Sequence, residues 1–95
     1  MNAYIIAYDI DTTVANPKTS AQVYSDVRQI IESFSVFGQL TESCWLLLST
    51  QSHVEIRDLF KGVMRPCDRL LVVKSARVAA WQNLKKESAW VKEHI

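Results

Sequence analysis

Apolar and polar positions along this chain of 95 residues follow two different periods. Ala3 to Ile10 is almost continuously apolar, rich in β-branched and aromatic residues, and too short for a buried helix, so it predicts a strand covered on both faces. Cys44 to Ser49 and Asp68 to Lys74 are further apolar runs of strand length. The short, mixed segment Gln39 to Glu42 is typical of an exposed edge strand. We therefore expect four strands.

Helical spacing appears between these runs. After a cap at Thr19 or Ser20, apolar residues recur every three or four positions as far as Phe34, which predicts the first helix. Ser52 followed by Glu55 three residues later forms a capping-box signature, and the apolar residues after it predict a second helix.

The resulting element order is βαββαβ, the split βαβ arrangement of ferredoxin-like α+β folds with an antiparallel sheet. We predict a ferredoxin-like domain over residues 1–75 and a C-terminal amphipathic helical extension over residues 76–95. The stripe of that extension repeats at spacings of three and four: Val78, Trp81, Leu84, Ser88, Val91 and Ile95. Because this stripe would otherwise face water, we expect the extension to dock on the sheet, a dimer partner or another protein, with Trp81 and Trp90 in the contact.

The composition excludes several classes of protein. An apolar fraction of 48% and a charged fraction of 22% are typical of a globular domain and unlike a disordered chain. Eleven basic residues against ten acidic ones give a net charge of +1, so binding to nucleic acid would need a local basic patch. Nothing matches a glycine-rich phosphate-binding loop, because only two glycines occur.

The sequence also predicts a cytoplasmic protein. The first residues lack a basic stretch before an apolar run, and no apolar run approaches the roughly 18 residues of a membrane helix. Cys44 and Cys67 have no Cys-x-x-Cys spacing, which favours two reduced thiols over a metal site.

Candidate chemistry lies at the end of the first strand. Asp9 ends that strand, and Asp11 points the same way if the strand continues, so the pair could offer oxygen ligands to Mg²⁺ or Mn²⁺. Alternatively, both carboxylates accept hydrogen bonds from loop N–H groups. One carboxylate alone holds Mg²⁺ weakly, so the metal hypothesis requires Asp11 or a second protomer.

Three short motifs resemble the small CRISPR-associated "Cas two" proteins and their stand-alone relatives: Tyr8-Asp9-Ile10, Phe37-Gly38 and Glu42-Ser43-Cys44-Trp45. The likeness spans Ala3 to Lys74. It implies a ferredoxin-like homodimer in which strand-end aspartates of two protomers approach each other, bind a divalent metal and hydrolyse phosphodiesters. Asp9 is the matching position. Ser43 matches a serine that could position phosphate or water, the alternative being a hydroxyl bonded to the backbone.

The positions of the basic residues differ from those in that family. Residues 21–25 are neutral where the relatives commonly carry arginines or lysines. Arg57, Lys61 and Arg65 instead recur at four-residue spacing and predict a phosphate-contacting stripe on the second helix. The alternative is a solvated helix face with Glu55 and Asp58 as local partners.

Three hypotheses of function follow from these residues. The first is a metal-dependent endonuclease acting on RNA or DNA, with Asp9 of two protomers at its centre and Asp11 and Ser43 in support. The second is a non-catalytic homodimer that binds nucleic acid or bridges proteins. The third is a toxin-like ribonuclease.

Overall fold

The chain folds into a four-stranded antiparallel sheet with two helices on one face, in a computed structural model that describes residues 1–95. The elements in chain order are β1 (Asn2–Asp9), α1 (Ser20–Glu32), β2 (Val36–Thr41), β3 (Cys44–Ser49), α2 (His53–Lys61), β4 (Arg69–Lys74) and α3 (Ser88–His94). The strand order is β2-β3-β1-β4, and every neighbouring pair is antiparallel. The predicted α+β class and antiparallel sheet are confirmed, although β2 begins three residues earlier than the sequence predicted.

The main core lies between the sheet and helices α1 and α2. Alternate residues of β1 and β3, such as Tyr4, Ile6 and Leu47, point to this face because side chains in a strand alternate with period two. Helices α1 and α2 contribute the buried residues that their three- and four-residue spacing predicted: Val23, Val27, Ile31, Ile56 and Phe60.

Both helix starts are capped by side chains. The Thr19 hydroxyl accepts a hydrogen bond from the backbone N–H of Gln22 at the start of α1. At the start of α2, Ser52 and Glu55 form the reciprocal capping box that the sequence predicted, with both bonds at 3.1 Å. Gly62 is the C-cap of α2, and the last helical residue, Lys61, lies five residues before Pro66.

The second face of the sheet is covered by the C-terminal segment over β2, β3 and part of β1. Val91 is fully buried there with Leu40 and Leu46. Several half-buried apolar residues of the same segment complete the cluster: Trp81, Leu84, Trp90 and Ile95. The backbone N–H of Lys85 also donates to the carbonyl of Leu40 at 2.9 Å, which ties the segment to β2.

The predicted helical extension over residues 76–95 is found only in part. Only α3, with seven residues, is helical. Arg77 and Asn83 have φ angles of 64° and 55°, a left-handed conformation that interrupts a right-handed helix. Val78, which the stripe included, is 90% exposed. Trp81 and Leu84, which belong to the predicted stripe, do pack against the sheet, but they lie in irregular backbone before α3 begins.

Candidate functional site

Asp9 is the last residue of β1 and its carboxylate faces solvent. Its side chain is 71% exposed, and it lies opposite Arg69 in the pairing of β1 with β4. Oδ2 of Asp9 is 3.5 Å from Nη1 of Arg69, and this ion pair is the carboxylate's one polar contact within the chain. Arg69 is itself 84% exposed, so an incoming ligand can reach both groups.

The carboxylate of Asp11, by contrast, accepts hydrogen bonds within its own loop. Its Oδ1 accepts hydrogen bonds from the backbone N–H and the hydroxyl of Thr13, at 2.9 and 2.6 Å. These bonds stabilise the charged carboxylate, with that from the Thr13 hydroxyl the largest cause, and they lower the pKa of Asp11 below its ordinary value. Asp11 therefore has the loop-capping geometry that was the alternative to metal binding.

Ser43 lies beside the same strand end. It is exposed in the turn between β2 and β3, and its carbonyl accepts a hydrogen bond from the N–H of Tyr8 at 3.1 Å. The backbone of Ser43 is thus fixed next to the residue that precedes Asp9. Asp9, Asp11 and Arg69 line one surface depression with Cys67, so of the predicted site residues Asp9 and Asp11 share this depression.

The chain contains no cluster of three side chains of the kinds that commonly bind metals. No three histidine, cysteine, aspartate or glutamate side chains lie close enough together to hold a metal ion. Asp9 is an accessible oxygen donor, but Asp11 is engaged with Thr13. Both bonds to Thr13 use Oδ1 of Asp11 and leave its Oδ2 without a hydrogen bond, so a metal at Asp9 would need ligands in addition to these two carboxylates.

Arg65 does not belong to an exposed basic stripe, and that prediction is wrong. It lies beyond the end of α2 and is only 3% exposed. Its guanidinium forms a bidentate salt bridge with Asp68, donating from Nε to Oδ2 at 3.1 Å and from Nη2 to Oδ1 at 3.0 Å. The position before Pro66 carried a signal, because a residue that precedes proline is biased against helical backbone.

The same guanidinium holds the connection between β1 and α1. It donates to the carbonyl oxygens of Asp11 at 2.7 Å and Lys18 at 3.0 Å, and also to that of Val14. Ser20 accepts a further bond at 3.3 Å. Arg65 is thus the side chain that anchors the long loop after Asp9. Sequence reasoning missed this role because the acceptors are backbone atoms remote in the chain.

Asp68 makes stability depend on pH in the acid range. The hydrogen bond from Arg65 is the largest cause that lowers the pKa of Asp68 from its ordinary value near 3.8 to about 2. Because the folded pKa is the lower one, the stabilisation is fully present above about pH 4 and is lost as pH falls toward about 2. We expect a loss of about 1–2 kcal/mol in the free energy of unfolding across that window, measured by urea unfolding. Asp68→Asn should flatten this window, and an unchanged acid slope in that variant would contradict the assignment.

Arg57 and Lys61 remain on the exposed face of α2. The Arg57 guanidinium bonds to Asp58 at 2.9 Å, whereas Lys61 forms no ion pair. Both residues line a groove together with Met64, which follows α2, and Leu70 of β4. Two accessible cations therefore border the β4 edge of the domain.

All three tryptophans pack within the fold. Trp45 is buried in the core, and its indole N–H donates to the Tyr8 hydroxyl at 3.1 Å. Burial raises the pKa of Tyr8 above its ordinary value. Trp81 and Trp90 pack against the second face of the sheet, and the Trp90 ring stacks on His94 with centroids 4.3 Å apart.

Comparison with models of known protein families gives no match, and comparison with curated proteins also gives none. The similarity to the "Cas two" proteins therefore stays a prediction based on its short motifs. None of the three helices has the length and apolarity needed to cross a membrane.

Proposed function

We propose that this chain is a cytoplasmic, nucleic-acid-associated homodimer that cleaves phosphodiester bonds in RNA or DNA, with Asp9 of two copies binding Mg²⁺ or Mn²⁺. We also propose that its fold is ferredoxin-like. The βαββαβ order, with β1 and β3 at the centre of the sheet, supports this assignment.

The accessibility of Asp9 carries the proposal. It ends a central strand, so its backbone position is rigid, yet its carboxylate accepts no hydrogen bond from the fold and has only the 3.5 Å ion pair with exposed Arg69. The neighbouring acids differ, because Asp11 bonds to Thr13 and Asp68 to Arg65. Of these three carboxylates, Asp9 is the one that accepts no hydrogen bond on either oxygen.

A second copy would complete the site. A two-fold contact presents the same patch on both copies, so the patch needs both signs of charge, and Asp9 and Arg69 supply them side by side. Two Asp9 carboxylates would be the protein ligands. A divalent cation bound there would neutralise phosphate charge and lower the pKa of a bound water.

The other predicted residues take supporting positions in this proposal. Ser43 and Asp11 flank Asp9, where Ser43 could orient a phosphate oxygen and Asp11 keeps its loop in place. Arg57 and Lys61 are the proposed phosphate contacts, since both are exposed. Arg65 anchors the loop and is no longer proposed to contact phosphate.

Cleavage of labelled RNA and DNA tests the proposal. Wild type should cleave in Mg²⁺ or Mn²⁺ and not in EDTA, and Asp9→Asn should lower the rate by at least about 100-fold, since even residues behind a metal ligand affect activity by 10–100-fold. Glu93→Gln, an exposed change on α3, is the matched control and should cleave as wild type does. Metal-dependent cleavage that survives in Asp9→Asn would place the chemistry elsewhere.

A non-catalytic nucleic-acid-binding or protein-bridging module is the second candidate. The observation that favours it is the ion pair itself, because Arg69 neutralises the exposed carboxylate of Asp9. This candidate predicts no cleavage under any condition, together with nucleic-acid binding that weakens steeply as salt rises.

A further inference from the structure

The two edges of the sheet differ in how they are protected. At the β2 edge, a bulge interrupts the pairing with β3 between Gln39 and Thr41, and Lys85 of the C-terminal segment bonds to Leu40. Bulges and covering segments are common devices that prevent a strand edge from pairing with another chain. Strand β4 has no bulge and no proline, and no segment of the chain bonds to its outer side. The β4 edge is open.

The open edge carries a regular row of unpaired backbone groups. The N–H of Ser75 donates to the carbonyl of Ala3 at 2.8 Å, and this bond fixes which residues of β4 face β1. Since hydrogen-bonded and non-bonded pairs alternate in an antiparallel ladder, Leu71 and Val73 bond to β1. It follows that the N–H and C=O groups of Leu70, Val72 and Lys74 point away from the sheet.

Apolar side chains lie beside these groups on the second face of the sheet. Leu71 is 59% exposed and Val73 is 44% exposed, because the C-terminal segment covers β2 and β3 but stops short of β4. On the opposite face, the groove beside α2 places Arg57 and Lys61 next to Leu70. One face of the edge is thus apolar and the other is basic.

The charges near the β4 edge indicate which kind of molecule could bind there: a second copy of this chain, a nucleic acid or a segment of another protein. Arg57 and Arg69 pair with Asp58 and Asp9, but Lys61 and Lys74 form no ion pair. Antiparallel pairing of two β4 strands would bring these unpaired lysines of both copies to one interface, where like charges repel. The phosphates of a nucleic acid could pair with the lysines. They would leave the outward N–H and C=O groups of β4, and the exposed side chains of Leu71 and Val73, without matching partners.

We propose that the β4 edge binds an extended acidic segment of a partner protein as a fifth strand. Side chains of that segment alternate between the two faces of the sheet. It would therefore alternate acidic residues, facing Lys61 and Arg57, with apolar residues, facing Leu71 and Val73. This inference does not need the Asp9 carboxylate, because it uses backbone groups of β4. It shares Arg57 and Lys61 with the proposed phosphate contacts, so an acidic segment and a nucleic acid should compete for these two side chains.

Amide hydrogen exchange with a synthetic peptide tests the proposal. The probe is an N-acetylated, C-amidated heptapeptide of alternating glutamate and valine, and the matched control peptide has lysine in place of glutamate. At about 1 mM, the acidic peptide should slow exchange of the Leu70, Val72 and Lys74 amides about tenfold or more and leave those of Leu71 and Val73 unchanged. The lysine peptide should have no effect.

Variants make the result specific to the edge. Leu71→Glu adds a like charge beside the acidic peptide and should weaken its binding about tenfold, whereas Val78→Glu, an equally drastic change at a 90% exposed site, should not. Val72→Pro should abolish protection while retaining the fold, because its N–H already faces solvent.

Four results would overturn the proposal. The first is no protection of the three amides by the acidic peptide, and the second is equal protection by the lysine peptide. The third is protection that appears in the protein alone and grows with its concentration, which would assign the edge to a second copy. The fourth is protection by an RNA oligonucleotide in place of the peptide, which would assign the edge to nucleic acid.

Discussion

Replacing Arg65 with methionine is expected to lower the free energy of unfolding by about 3–5 kcal/mol. The change leaves the Asp68 carboxylate, with a fully buried side chain, without its countercharge. It also removes the donors to the carbonyl oxygens of Asp11, Val14 and Lys18. Since small domains are stable by only about 5–15 kcal/mol, the variant should be close to unfolding. Urea unfolding followed by circular dichroism at neutral pH measures the difference.

Arg57→Met is the matched control for that prediction. Arg57 has the same side chain on an exposed helix face, where its ion pair with Asp58 contributes little, so we expect a change within about 0.5 kcal/mol. Combining Arg65→Met with Asp68→Leu removes both charges and should recover part of the loss. A loss below about 1 kcal/mol for Arg65→Met alone would contradict the buried anchor.

Replacing Trp90 with alanine is expected to cost about 3 kcal/mol and to release the C-terminal segment from the sheet. The indole packs against Gly38 so closely that a Cβ at that position would overlap its ring. Losing it uncovers the cluster of Leu40, Leu46 and Val91. Thermal unfolding gives the loss in stability, and limited proteolysis should cut the variant first within residues 75–87.

Controls separate this packing from general sensitivity to substitution. Val78→Ala, in the same segment but 90% exposed, should leave the unfolding temperature unchanged. Gly38→Ala should destabilise the protein by about 1–3 kcal/mol through the overlap with Trp90, whereas Gly62→Ala has room for its methyl group and should be neutral or slightly stabilising. Equal effects of the two glycine changes would contradict the close contact at Trp90.

Local signals in the sequence predicted most of the elements because their causes are local. The apolar run that becomes β1, the spacing in α1 and the capping box at Ser52 each depend on residues within a few positions of one another. The irregular backbone of residues 75–87 could not be predicted in this way. Its conformation is set by contacts of Trp81 and Leu84 with a sheet formed from distant parts of the chain.

The candidate site shows the same division. The exposed carboxylate of Asp9 at a strand end follows from the pattern of β1 alone. The burial of Arg65 does not, because four-residue spacing describes a helix face only while the helix continues, and α2 ends at Lys61. The guanidinium of Arg65 is buried because it donates to the carbonyl oxygens of Val14 and Lys18, which lie about fifty residues earlier in the chain. The spacing of basic residues in the sequence does not reveal such distant acceptors.

The stoichiometry of Mn²⁺ binding tests the central claim, that Asp9 becomes a metal ligand only when two copies meet. Titration of wild-type protein followed by electron paramagnetic resonance should show one bound Mn²⁺ for every two chains, with binding lost in Asp9→Asn and retained in Glu93→Gln. Sedimentation of the same samples should show a dimer. One Mn²⁺ per chain that persists in Asp9→Asn, or no Mn²⁺ bound to a stable dimer, would contradict the account.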